Sequence, residues 1–229
     1  MGRAERVAAL AGNLACRSRL GLTQVQGSRA ELDQLLGAVM PSSPTPVLGS
    51  LADVRAWMGE CARCPLHQGR NKIVFGAGPE DARIMFIGEG PGQQEDRQGL
   101  PFVGPAGKLL DAMLAAVGLG RDQVYIANIV KCRPPNNRDP RPEEAAACRP
   151  FLEAQVRLIA PEAICALGRP AAQALLASDA PIGRLRGRWA SALGTPVLPT
   201  YHPAYLLRTP EAKAMAYNDL KALVRGPGS

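Results

Sequence analysis

The stretch Ile84-Met-Phe-Ile-Gly88-Glu89-Gly90-Pro-Gly92-Gln-Gln-Glu95-Asp96 decides the fold. Its first four residues form an apolar run of strand length, and Gly-Glu-Gly-Pro-Gly cannot continue that strand. A buried strand therefore empties into a glycine-rich loop that bears a carboxylate. Outward from it, apolar β-rich runs alternate with helical patterns, as in a parallel sheet with helices on its faces. Strands are expected at 83–88, 124–130, 163–167 and 196–201. Between them, Leu109, Leu110, Met113, Leu114 and Val117 recur at helical spacing over 108–117, and a helix follows Pro142 over 143–159. A further helix starts at Pro170, and another covers about 211–224. The expected class is α/β, a three-layer α/β/α sandwich around a central, mainly parallel four-stranded sheet. Open sheets of this kind bind ligands at the carboxyl ends of their strands. That rule gathers residues 88–92, 131–138, 168–169 and 202–208 around one crevice.

Six cysteines punctuate the chain. Cys61-Ala-Arg-Cys64, Cys132 and Cys148 make a thiol quartet that can close a metal or cluster site, whereas one CxxC pair cannot complete tetrahedral coordination. Spacing alone leaves iron–sulfur and zinc both open. A CxxC in a chain of this length fits a reducing compartment better than a secreted disulfide framework. Cys16 and Cys165 are left over, and Cys165, in the apolar run 163–167, reads as a small buried thiol.

The chain has 229 residues, 46% of them apolar, enough for one sizeable domain and an appendage. No unbroken apolar run reaches membrane-spanning length, and the start lacks the apolar segment of a secretory signal. A cytoplasmic protein with no membrane partner is expected. The formal charge of +7 favours a polyanionic partner, because lysine and arginine release counterions from phosphates. Residues 1–50 carry +2 of that excess and the remainder +5, so it is not merely a tail. Aromatic content of 4% is too low for a platform that stacks a run of bases, so few bases are held. Near the start, two short helices are expected, the second opened by the capping box Ser28-Arg-Ala-Glu31 ahead of Leu32, Leu35, Leu36 and Val39. Met40-Pro-Ser-Ser-Pro-Thr-Pro46 then reads as a semi-rigid linker. The expected division is an extension over 1–49, with its linker at 41–49, and a folded domain over 50–229.

Four ordered motifs carry a specific resemblance: Gly88-Glu-Gly-Pro-Gly92 with Glu95-Asp96, Pro101-Phe-Val-Gly-Pro-Ala-Gly107, Asn128-Ile-Val-Lys-Cys-Arg-Pro-Pro135, and Thr200-Tyr-His-Pro-Ala-Tyr-Leu-Leu-Arg208. Over residues 51–225 the chain resembles the family 4, iron–sulfur uracil-DNA glycosylases. The resemblance implies hydrolysis of the bond between uracil and deoxyribose on a nucleotide turned out of the duplex, leaving an abasic site. It implies a 4Fe–4S cluster on Cys61, Cys64, Cys132 and Cys148, with zinc as the alternative occupant.

It also assigns roles in the site. His202 donates to the uracil O2 position, Asn128 pairs with the N3–H and O4 edge, and Phe102 stacks on the base. Gly88 and Gly90 let backbone approach the ligand. Glu89 is the carboxylate nearest the scissile bond, stabilising the cationic sugar or orienting water. A related enzyme carries aspartate where this chain has Gly90, so no general base acts from that position. Glu95 and Asp96 are read as capping the turn that follows or holding His202. Tyr205-Leu206-Leu207-Arg208 resembles the family's wedge loop, with Leu206 as the plug for the vacated stack. Lys108, Arg133, Arg169 and Arg208 are candidate phosphate contacts, while His67 is incidental. The implied partner is uracil-containing DNA, met by a monomer, with residues 1–40 available to a protein partner. Two rivals stand beside this reading: a covalent uracil-DNA binder of the same superfamily, and a non-catalytic nucleic-acid module.

Overall fold

The computed structural model describes residues 48–228. Cys16, the two helices expected before residue 40 and most of the linker lie outside these residues. Five strands form one sheet in the order β2-β1-β3-β5-β4. They are β1 (Ile84–Gly88), β2 (Val124–Asn128), β3 (Ala163–Leu167), β4 (Ala190–Ala192) and β5 (Thr195–Thr200). β1, β2, β3 and β5 run parallel, and β4 pairs antiparallel with β5 at one edge. The expected four-stranded sheet thus gains a fifth strand of three residues, two of them exposed and the third half-buried.

Strand parity sorts the core into two faces, since successive side chains point to opposite sides. Met85, Ile87, Tyr125, Ala127, Ile164, Ala166 and Val197 pack against α1 (Leu51–Met58), α4 (Pro142–Ile159) and α5 (Arg169–Leu176). Phe86, Ile126, Cys165, Leu167 and Leu198 pack against Leu110 and Leu114 of the helix at Pro105–Ala116 and against Leu220 and Leu223 of the one at Lys213–Arg225. With α2 at Gln93–Gln98, these two helices are α3 and α8, and short helices α6 (Ile182–Leu185) and α7 (Pro203–Arg208) complete the set. Three layers result, as expected. Cys165 is fully buried in the second face.

Helix starts follow their signals. Proline occupies the first turn of α3, α4, α5 and α7, where no intrahelical N–H is needed. α3 therefore begins at Pro105, three residues before the expected start. β2 ends at Asn128 rather than at 130, although Ile129 and Val130 still donate to the Gly88 and Glu89 carbonyls at 3.0 and 3.2 Å. Beneath β5, the Thr200 hydroxyl donates to Asp219 at 2.7 Å, and Arg186 holds the same carboxylate. This buried set ties the strand end that carries His202 to α8.

Candidate active site

Each parallel strand delivers one group to the same end of the sheet. β1 ends in Gly88-Glu89, β2 in Asn128, β3 in Gly168-Arg169 and β5 in Tyr201-His202. Gly88 is the floor: a Cβ there would lie 2.5 Å from Asn128 Oδ1 and 2.6 Å from the Phe102 ring. Gly168, at φ +87, lets the neighbouring strand approach, since a Cβ would lie 2.8 Å from His202 Cβ. Gly90 backs onto Val130 and Pro134. The Phe102 and His202 rings are 5.6 Å apart and tilted by 33°. The predicted amide, imidazole and phenyl ring thereby meet at one end of the sheet, where Glu89 follows Gly88.

Asn128 is buried, and its Oδ1 is, among the described residues, the one buried side-chain nitrogen or oxygen without a hydrogen-bond partner. Native structures rarely leave such an atom orphaned, because its desolvation is uncompensated. Its main-chain carbonyl is satisfied by Lys131, whose buried Nζ donates at 2.9 Å. Burial lowers the Lys131 ammonium to about 8, so it remains mostly charged at neutral pH.

His202 caps α7. Its Nδ1 accepts from the Ala204 N–H at 3.1 Å, which places the ring proton on Nε2 and makes that atom a donor. Burial first, then the charge of Arg208, pushes its pKa down to about 4. The imidazole is therefore neutral at pH 7 and presents a fixed N–H.

Glu89 is half-buried, and its pKa rises to about 7. Burial is the main cause, the Asp139 carboxylate beside it adds to the rise, and Arg169 opposes it. Arg169 is itself bonded to Asp139 at 2.5 Å, so this predicted phosphate contact is engaged with a carboxylate. Sequence reasoning did not single out Asp139, which sits in a proline-rich loop without periodicity.

Phe102 stands at φ +53, a left-handed conformation that a non-glycine residue holds only when its surroundings impose it. Glu95 supplies part of that: its Oε1 accepts from the Val103 and Gly104 N–H groups, both at 2.9 Å. Arg121 donates to the Phe102 carbonyl at 2.8 Å and also reaches that of Pro101. Asp96 accepts from the Asn71 and Lys72 N–H groups and so anchors the chain that leaves the cysteine region. Arg121 carried no sequence signal.

The wedge expectation needs correction. Leu206 is fully buried against Ala212, Ala216, Leu109 and Met113, so it cannot enter a base stack. Leu207, 45% exposed, is its outward neighbour. Tyr205 is exposed and stacks on Tyr201 at 5.0 Å. Lys108 and Arg208 are exposed, whereas Arg133 donates to Asn137 at 2.8 Å.

Cys61, Cys64, Cys132 and Cys148 line one small cavity with Met58, Ile73 and Phe151. Donors face the sulfurs: Arg63 to Cys61 at 3.5 Å, Arg70 to Cys132 at 3.5 Å and the Lys131 N–H to Cys148 at 3.3 Å. Burial raises the Cys64 and Cys132 thiols, and pushes Cys148 to about 11. An all-sulfur donor set with charged donors in an apolar shell suits a thiolate-bound group whose binding displaces the protons. Among the described residues, no set of three or more His, Cys, Asp or Glu side chains closes to a single-ion site. His67 Nδ1 lies 2.8 Å from the Cys64 carbonyl, a local contact.

A parallel α/β/α sheet whose strand ends meet in this way has its counterpart in the uracil DNA glycosylase superfamily, whose family model matches residues 75–221. A type-4 uracil-DNA glycosylase of Thermotoga maritima is 51% identical over 151 residues, 65% of this chain and 79% of that protein. Type-4 enzymes of Archaeoglobus fulgidus and Sulfurisphaera tokodaii are 43% and 42% identical, covering 76% and 77% of this chain and 92% and 84% of their own lengths. The chain belongs to the type-4 uracil-DNA glycosylase family.

Proposed function

We propose that this site removes uracil from DNA by hydrolysing the N-glycosidic bond, leaving an abasic site. The orphaned Asn128 Oδ1 carries the assignment of the base pocket. It accepts the uracil N3–H, and the amide's other end donates to O4. Cytosine presents the reversed pattern and leaves both groups unpaired, at about 1–3 kcal/mol each. Phe102 covers the ring face. As the bond breaks, its electron pair passes to uracil N1 and negative charge spreads to O2, where the neutral His202 Nε2–H donates. Glu89, once ionised, stabilises the cationic sugar and orients the water whose oxygen bonds to C1′. The water's proton leaves through that carboxylate or solvent, and N1 is protonated in turn.

DNA is held around the crevice. Leu207 fills the vacated stack, and Lys108, Arg208 and Tyr205 contact the flanking backbone, with Arg133 and Arg169 beside them. The four cysteines would hold a 4Fe–4S cluster, which would tie the chain before β1 to the loop after β2 and to α4; hydrolysis requires no electron. Iron analysis of anaerobically purified protein tests this, with about four irons per chain expected, and Cys132→Ser should lower both iron and yield of folded protein. Zinc with no iron would refute the cluster. The proposed division places the glycosylase domain at 50–229. Among the described residues no helix is long and apolar enough to cross a membrane.

A covalent trap in this superfamily uses a histidine after the asparagine motif, and residues 129–141 contain none. Incubation with a uracil-bearing oligonucleotide followed by alkali separates the readings. Strand cleavage is expected; a shifted covalent band indicates the trap, and intact DNA indicates a non-catalytic module.

A further inference from the structure

Among the described residues Lys131 is the one lysine or arginine that is fully buried, and the excision mechanism leaves its side chain unused. Its position follows from strand parity. β2 is the outer strand of the parallel array, and Ile126 turns its N–H and carbonyl outward to pair with Ala77 at 2.7 and 2.9 Å. Two residues on, Asn128 faces the same way, and no strand continues there to receive its carbonyl. A buried unpaired carbonyl at the end of a binding strand is costly and leaves the peptide free to rotate. Lys131 Nζ fills the gap at 2.9 Å, and donates at 2.6 Å to Gln155 Oε1. Gln155 is fully buried, and its Nε2 donates to the Phe75 carbonyl at 2.9 Å and to the Tyr125 hydroxyl at 3.3 Å.

Gln155 and Cys148 lie seven residues apart on α4, two turns, and so share one face. Lys131 meets both: its N–H reaches Cys148 Sγ and its ammonium reaches Gln155. Its own carbonyl is taken by the Val74 N–H at 2.8 Å. One residue thus ties the cysteine-bearing helix to the last peptide of β2.

We propose that Lys131, braced by Gln155, is a positioning residue for uracil recognition: it fixes the Asn128 peptide and thereby the direction of the Asn128 amide. The inference rests on the excision reading above, in which Asn128 grips the base edge. It links the cysteine quartet to base selection through hydrogen bonds, with no electron transfer required.

The test compares Gln155→Met, which removes the acceptor for Lys131, with Gln155→Glu, which restores it. Both lose the donor to Phe75 and Tyr125, and they differ in whether an acceptor, here a charged one, is offered to Lys131. The readouts on the full chain are the inhibition constant of free uracil, kcat and KM on a uracil-bearing oligonucleotide, iron content and Tm. Gln155→Met should weaken inhibition by uracil about tenfold, as for loss of one charge-assisted hydrogen bond, and lower kcat while KM for DNA changes less than about twofold. Gln155→Glu should recover most of the uracil affinity. A purely structural role would lower Tm equally in both and leave uracil inhibition at the wild-type value, which overturns the proposal. Lys131→Met serves as the second variant, with the same expected weakening and the same overturning result. A wild-type chain that releases no uracil would instead refute the excision reading; normal wild-type excision with unaltered inhibition in the variants sinks this inference alone.

Discussion

Glu89→Gln should make the protein more stable while disabling it, and the gain should depend on pH. The folded state raises the Glu89 carboxyl from its ordinary 4.5 to about 7. A carboxyl raised on folding contributes stability fully below its unfolded pKa, and that contribution is lost as pH rises through the folded value. Ionisation therefore weakens the wild-type fold progressively between about pH 4.5 and pH 7, and the loss is complete above that. The rise corresponds to about 3 kcal/mol at about 1.4 kcal/mol per pH unit, and partial solvent access reduces this to about 2 kcal/mol. Glutamine keeps the shape without the charge. Its advantage should be well under 1 kcal/mol at pH 5 and about 2 kcal/mol at pH 8.5. For a domain of this size that is about 4–8 °C in Tm. Thermal or urea unfolding of both proteins across this range provides the assay, with excision rate in parallel expected to fall about 100-fold or more. A stability difference that stays flat from pH 5 to 8.5, or a wild type that is the more stable at pH 8.5, would refute the reasoning.

Asp139→Asn should shift the acid limb of the excision profile to lower pH, because the Asp139 charge and hydrogen bond both help to raise Glu89; a limb that stays in place removes Asp139 from the account. Asn128→Asp should slow uracil excision about 100-fold and weaken inhibition by free uracil, since a carboxylate offers no donor to O4. Leu207→Ala should weaken excision from duplex more than from single strands at unchanged Tm. Leu206→Ala should instead destabilise the fold by about 2–5 kcal/mol, as for a buried leucine. Equal effects of the two leucine variants on stability would overturn the burial distinction.

The sheet was legible because parallel strands covered on both faces are short, nearly continuous apolar runs; Ile84–Gly88 and Ala163–Leu167 are of that kind. Ala190-Ser-Ala192 has no such pattern, and its pairing comes from the turn into β5. Gln93–Gln98 is wholly polar, and Asp96 buries itself by accepting from Asn71 and Lys72, a tertiary fact without a local signal. The site's side chains were readable as motifs, but their partners were not. Leu206 and Leu207 are neighbours in a six-residue helix, too short for periodicity to say which one faces inward. Lys131 was placed only among residues 131–138 at the strand ends, since nothing in Asn-Ile-Val-Lys tells that its ammonium turns back to the Asn128 carbonyl.

The two perturbed groups of the crevice are displaced in opposite senses, and the displacement suits the charge that develops in the reaction. Burial lowers His202 to about 4 and raises Glu89 to about 7, so both are driven toward neutrality by the same low-dielectric environment. For His202 the neutral form is the useful one, because it presents a fixed Nε2–H to the developing charge without a cation to desolvate in the buried site. For Glu89 the useful form is the ionised one, and the fold makes it unfavourable until a cation arrives. A sugar that acquires positive charge beside this carboxyl gains more than it would beside a hydrated one, because no water must be displaced when the charge appears. Burial does most to set where that advantage begins, and the Asp139–Arg169 pair adjusts it. A Glu89 pKa lowered by Asp139→Asn, though burial still holds it above the ordinary value, would therefore extend activity to lower pH and diminish the maximal rate, two changes that a carboxylate acting only as a structural anchor would not produce together.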